Sequence, residues 1–132
     1  MKRAVKALID TRMLGRALLV GVGLEVALMV ACHFRPLLQM HYGLFGIMMI
    51  AGTAGLLYAR DLARGYVMGA LGGLVIGTAC GVAAVATSNL LGDQPENFIP
   101  YAVMICALLG AIGGLFGQYA AWIRAFIASL RN

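Results

Sequence analysis

Four long apolar stretches dominate this sequence and determine its fold class before any motif is considered. They cover residues 14–32, 37–59, 65–89 and 99–122, and each is long enough to cross a bilayer as a helix. Hydrophobic residues make up 62% of the chain and charged residues only 11%. So few charged groups cannot cover a water-facing surface, which excludes an ordinary soluble enzyme or nucleic-acid-binding domain. The sequence therefore predicts an all-α integral membrane protein.

The links between these stretches are short, with the sequences HFRP, RDLAR and LGDQPENF. Short links require neighbouring spans to run antiparallel, so we predict four transmembrane helices in an up-down bundle. Pro36 suits the first turn of the second helix, where its missing N–H costs nothing. Residues 1–13 combine apolar residues at helical spacing with basic ones, which predicts a short amphipathic helix at the membrane surface. Residues 14–132 then form a single transmembrane domain.

Positive charge is distributed unequally between the two ends of the predicted bundle. With both termini on one side, all of the ten Lys and Arg residues except Arg35 lie on that side. The positive-inside rule makes this side cytoplasmic, which predicts a bacterial inner membrane with both termini inside. The partner that this charge favours is anionic lipid at the cytoplasmic face rather than nucleic acid.

Glycines recur every four residues through the third stretch and form interleaved GxxxG pairs in the fourth. They are Gly65, Gly69, Gly73, Gly77 and Gly81, followed by Gly110, Gly113, Gly114 and Gly117. Small residues at this spacing let helix backbones approach closely in lipid, as in a glycine zipper. A four-residue step drifts about 40° around a helix, so we expect the third helix to contact two different helices. Packing within one bundle and association with another chain both remain open.

Glu25 is the only ionisable residue near the middle of a predicted span. A carboxylate at this depth costs about 2.5–3.5 kcal/mol on insertion scales, so its presence needs a reason. Thr53 and Thr78 fall at a similar depth in the second and third spans, and we expect the three residues to form one polar layer. The alternatives are a proton- or cation-coupling carboxylate and a neutral acid hydrogen-bonded between helices. Gln118, near the inner end of the fourth span, is expected to make a polar contact between helices.

Two further groups of residues carry weaker signals. Cys32, His33, Met40 and His41 flank the first outer link, and thiol, thioether and imidazole groups suit Cu(I). Their spacing matches no established metal motif, so we expect neither a metal nor another cofactor. Cys80 and Cys106 lie at similar depth and could be neighbours, although small packing residues would have the same pattern.

The sequence favours one class of function over a second. The favoured class is a non-catalytic subunit or assembly factor of a membrane complex, which associates with itself or with other membrane proteins through its glycine-rich faces. The alternative is a small homo-oligomeric channel or proton-coupled transporter that uses Glu25. Neither the short links nor Glu25 with two threonines supplies a set of catalytic groups, so we do not expect an enzyme.

Overall fold

The structure is a computed structural model, and it describes residues 11–93 and 99–131. Four long helices account for nearly all of these residues. They are α1 (Thr11–Phe34), α2 (Pro36–Leu62), α3 (Tyr66–Leu91) and α4 (Ile99–Leu130). All four are long and apolar enough to cross a membrane. The predicted all-α membrane bundle is therefore confirmed, and the described parts of the chain contain no strand.

The helices extend past the predicted spans at several ends. α1 is already helical at Thr11, the first described residue, and α4 continues to Leu130. The predicted amphipathic helix falls mainly on residues 1–10, which lie outside the described residues. The ends of α2 and α3 follow from local backbone geometry. Ala63 (φ 47°) and Gly92 (φ 74°) adopt left-handed conformations, which cannot continue a right-handed helix.

Helix α2 begins irregularly. Pro36 occupies its first turn as predicted, and Gln39–Gly43 then form a π-helical segment before the regular helix Leu44–Leu62. The His41 Nδ1–H donates to the Leu37 carbonyl oxygen over 3.0 Å within this irregular turn. The sequence does not predict this π-helical segment, because no residue in it carries a known signal for one.

Helix α4 packs against both α2 and α3, and these are the most extensive contacts of the bundle. Helix α1 packs less extensively against α2 and α3. One end of the bundle is basic, because arginines of three helices lie there. Arg124 of α4 donates to the carbonyl oxygen of Arg60 of α2 over 2.9 Å, and Arg16 of α1 lines a crevice that also contains Asp61 of α2. We call this the basic end and refer to the other one as the opposite end.

Two glycine seams hold α2, α3 and α4 together. In the first seam, Gly69, Gly73 and Gly77 of α3 face Gly110 and Gly114 of α4 so closely that a Cβ on any of them would collide with backbone atoms of the other helix. The second seam joins α2 to α4, and its glycines are Gly52, Gly55, Gly113 and Gly117. The glycine-rich faces of α3 and α4 are thus covered by other helices of the same chain.

Helix α3 contacts more than one helix, as expected, because α4, α2 and α1 all pack against it. The glycine stripe is not the reason, however, since a single neighbour covers all four of its described glycines. Gly69, Gly73, Gly77 and Gly81 all face α4, and only Gly72, which is off the stripe, faces the Tyr58 ring of α2. The expectation assumed a straight neighbour parallel to α3. A row of residues at i, i+4 is itself inclined to the helix axis, so a partner that crosses at an angle can follow the whole stripe. Gly65 lies outside the stripe, because it caps α3 with φ +105° and has no atom near an added Cβ.

Candidate intramembrane carboxylate site

Glu25 is completely buried in the interior of the bundle, with 0% of its surface exposed. It lies near the middle of α1 on the helix face that also buries Gly21 and Met29. Neither carboxyl oxygen has a hydrogen-bond partner among the described residues. A buried polar group that lacks a partner costs about 1–3 kcal/mol, more when it is charged. If Glu25 only filled space, an apolar side chain of similar size would therefore be more favourable at this position.

Two thiols are buried in the same interior as this acid. Cys80 of α3 and Cys106 of α4 are free, fully buried and near enough to Glu25 for a charge on one group to act on another. One turn before Glu25, a Cβ added at Gly21 would lie 2.8 Å from Cys80 Sγ. Glu25, Cys80 and Cys106 therefore form one interior cluster, which we call the acid–thiol cluster.

The predicted polar layer of Glu25, Thr53 and Thr78 does not form. Thr53 is exposed on the outside of α2, where it lines a crevice between α1 and α2. Thr78 donates its hydroxyl hydrogen to the Leu74 carbonyl oxygen over 2.8 Å and so is bonded to its own helix. Depth along the bundle was predicted from the sequence, but the rotation of each helix about its axis was not. The layer does not form, because Thr53 is exposed and Thr78 is only partly buried and bonded to its own helix.

Helix α1, which carries Glu25, is attached differently from the other helices. The glycine seams bring the backbones of α2, α3 and α4 into direct contact, whereas α1 meets its neighbours through side chains. Gly21 faces Cys80 Sγ and Ala54 Cβ, and Gly46 of α2 faces the Leu28 side chain. Side chains can change rotamers but a backbone seam cannot, so α1 is the helix whose displacement requires the least repacking.

The weak metal candidates at the opposite end of the bundle are not brought together. Cys32 is buried, Met40 is 83% exposed, and His41 bonds to a carbonyl of its own turn. His33 Nδ1 instead lies 2.9 Å from Asp93 Oδ2, which ties the end of α1 to the link after α3. Across residues 11–93 and 99–131, no group of three or more His, Cys, Asp or Glu side chains could hold a metal ion.

Gln118 makes the polar contact between helices that the sequence predicted. Its side chain is buried in α4, where Nε2 donates to the Ala59 carbonyl oxygen over 2.6 Å. Its Oε1 accepts the Gly65 backbone N–H over 3.0 Å. One side chain thus holds both the end of α2 and the start of α3 against α4 at the basic end.

Replacing Gln118 with Met keeps the side-chain length but removes both hydrogen bonds. We expect the free energy of unfolding to fall by about 2 kcal/mol, because two backbone groups lose a buried partner. Unfolding in mixed micelles, followed by circular dichroism, would measure this. Gln39→Met is the matched control, because Gln39 makes only a 3.5 Å contact to the Asp93 carbonyl. Equal stability of the two variants would contradict the prediction.

No family model, curated protein or solved structure matches this chain. The fold defines the class of protein, an all-α membrane bundle of four helices. The features of the molecule that bear on its function are the acid–thiol cluster and the surfaces of the bundle.

Proposed function

We propose that this chain is a small proton-coupled transporter or channel, acting as a homo-oligomer, in which Glu25 carries the coupling proton. The observation that supports this most is the complete burial of Glu25 with both carboxyl oxygens unpartnered among the described residues. Ionisable residues inside membrane spans are costly, and they commonly mark ion and proton pathways. A Met or Leu of similar volume would fill the same space without that cost.

The attachment of α1 suggests how the acid reaches water. The backbone seams make α2, α3 and α4 a rigid support, and α1 carries Glu25 against it through side chains. A displacement of α1 opens the acid–thiol cluster to one side of the membrane, where Glu25 exchanges its proton with water. Return of α1 with the proton bound buries a neutral acid, which an apolar interior favours. Net flux also needs the unprotonated carboxylate to return, and either the membrane potential or a cation in place of the proton drives that step. Coupling follows when the substrate or the potential determines the side to which α1 opens.

The test is proton flux into liposomes that contain the purified protein and a pH-sensitive dye, driven by a potassium diffusion potential. We expect the wild type to carry flux and Glu25→Gln to reduce it more than tenfold, because an amide cannot exchange a proton. Glu96→Gln is the matched control, since the sequence places Glu96 in the link after the third span. Wild-type flux in Glu25→Gln would remove Glu25 from the mechanism.

A second readout does not depend on knowing a substrate. Infrared spectroscopy detects the carbonyl band of a protonated carboxylic acid, and loss of that band in Glu25→Gln would assign it. The proposal requires the Glu25 band to disappear reversibly as the pH is raised. A band that persists across the whole range in which the bundle stays folded would identify a permanently neutral packing residue and contradict the proposal.

The arginines of the basic end suggest in which membrane the protein lies and how it is oriented there. The basic end collects Arg12, Arg16, Arg60, Arg64 and Arg124, and the positive-inside rule favours its placement in the cytoplasm of a bacterial cell. We therefore propose an inner-membrane protein with both termini inside. Reporter fusions at the C-terminus that are active only in the cytoplasm, or only outside it, test the orientation directly.

A different observation favours the second candidate, a non-catalytic subunit or assembly factor of a membrane complex. Helix α4 has 32 residues, and its length of about 48 Å exceeds the hydrocarbon core of about 30 Å. Beyond Arg124 all its described residues are exposed, including Phe126, Ile127 and Leu130. The rings of Trp122 and Phe126 stack at 5.8 Å on the same exposed ridge. This α4 extension, rather than the occupied glycine faces, is the surface that would contact another membrane protein.

Native mass spectrometry of gently extracted membranes separates the two candidates. A defined homo-oligomer supports the transporter, and stoichiometric association with other membrane proteins supports the subunit. In the subunit case, the double substitution Phe126→Ala and Ile127→Ala should release the partner. Leu108→Ala, on the exposed middle of α4, serves as the control and should retain it.

A further inference from the structure

A groove runs between α1 and α2 from the basic end toward the middle of the bundle. Its wider part has a volume of about 300 Å³ and contains Arg16, Tyr58 and Asp61. A second crevice of about 230 Å³ continues it inward between Leu24 and Met49. The two share Val20, Ala54 and Leu57, so they form one continuous groove, which we call the α1–α2 groove.

The mouth of this groove carries an excess of positive charge. Asp61 is its only described acid, and it is already paired with Arg60 (3.0 Å) and Arg124 (4.0 Å). Arg16 lines the same mouth, and in the described part of the chain no acidic side chain pairs with it. Three arginines and one aspartate thus lie at the mouth or beside it, Arg16 on the lining and Arg60 and Arg124 on Asp61, which favours an anionic group there.

The whole groove is about as long as one leaflet, and its inner part is almost entirely apolar. Met49 at the inner end and Asp61 at the mouth are twelve residues apart on α2, a rise of about 18 Å. Half of a hydrocarbon core is about 15 Å thick. Val20 and Leu24 are more than half exposed along the groove, so a ligand can enter from the side. Charge at one end and apolar surface over one leaflet are the properties of an amphiphile site.

We propose that the α1–α2 groove binds one anionic phospholipid of the leaflet at the basic end. The lipid phosphate lies at the mouth beside Arg16, and one acyl chain lies along Val20, Leu24 and Leu57. This site goes beyond the proposed function and does not depend on Glu25, since the groove is on the outside of the bundle. It differs from general contact with lipid because it specifies one headgroup charge, one leaflet and one pair of helices.

The test is native mass spectrometry of the full chain in detergent micelles doped with phosphatidylglycerol or phosphatidylcholine. We expect one phosphatidylglycerol to be retained in preference to phosphatidylcholine. Arg16→Gln should lower the apparent affinity about fivefold, as expected for one arginine near a lipid surface. Arg131→Gln makes the same charge change at the exposed end of the chain and should leave retention unchanged.

A second pair of variants tests the apolar part. Val20→Trp fills the groove and should abolish retention, whereas Leu71→Trp, on the similarly exposed face of α3, should not. Equal retention of the two lipids would overturn the proposal, because it would show an ordinary lipid shell. Unchanged phosphatidylglycerol binding in Val20→Trp would also overturn it, since the lipid would then lie elsewhere.

Discussion

Substituting Gly110 with Ala should lower the free energy of unfolding by about 3 kcal/mol or more, the upper range for overpacking a tight interior. A Cβ at this position would collide with the Gly73 carbonyl oxygen and lie 2.7 Å from Gly77 Cα. The Gly110 carbonyl in turn faces Gly55 of α2. Gly110 therefore lies where three helix backbones meet, and relief of the collision requires whole helices to separate. Unfolding in mixed micelles followed by circular dichroism measures the loss.

Gly23→Ala is the matched control for this substitution. Gly23 is exposed on α1, and nothing lies within 4 Å of a Cβ built there. Alanine favours a helix by about 1 kcal/mol over glycine, so this control should be neutral or more stable. A Gly110→Ala protein as stable as Gly23→Ala would show that the seam is looser than described. A change in oligomer size without loss of stability would show instead that this glycine packs between chains.

Glu25→Met should have the opposite effect on stability and should also remove the proposed activity. Methionine has a similar length and flexibility, and it leaves no carboxyl oxygen buried without a partner. We expect the free energy of unfolding to rise by about 1–3 kcal/mol, the cost of an unsatisfied buried polar group. Proton flux should be lost in the same variant. A residue whose removal stabilises the fold and abolishes flux is one retained for function.

Val26→Met controls for the introduction of methionine into α1, because Val26 is partly exposed beside Glu25. It should change neither stability nor flux appreciably. If Glu25→Met instead destabilises the bundle, the acid has a stabilising partner within the cluster. Such a result would support the alternative of a hydrogen-bonded neutral acid and weaken the case for transport.

The candidate site was predictable only in part. Glu25 stood out in the sequence because a carboxyl group in the middle of an apolar span is costly at any rotation of the helix. Cys80 and Cys106 share a depth and the structure buries both in one core, but equal depth alone only allowed them to be neighbours. Thr53 and Thr78 shared that depth but face elsewhere, because apolar residues surround all sides of these helices and no amphipathic pattern reveals which side is inward. The hydropathy that identifies a membrane span thus also obscures its rotation.

By itself, the sequence determined the class of fold, the four spans and the unequal distribution of charge. These properties follow from the length of each apolar stretch and from the cost of placing backbone and charged groups in lipid. Only the tertiary structure decided which faces meet. It showed that the glycine stripe of α3 is covered by α4, that α1 is held through side chains, and that Arg16 opens onto a groove. Such choices depend on helix rotation and crossing, which close packing between backbones determines and local sequence does not.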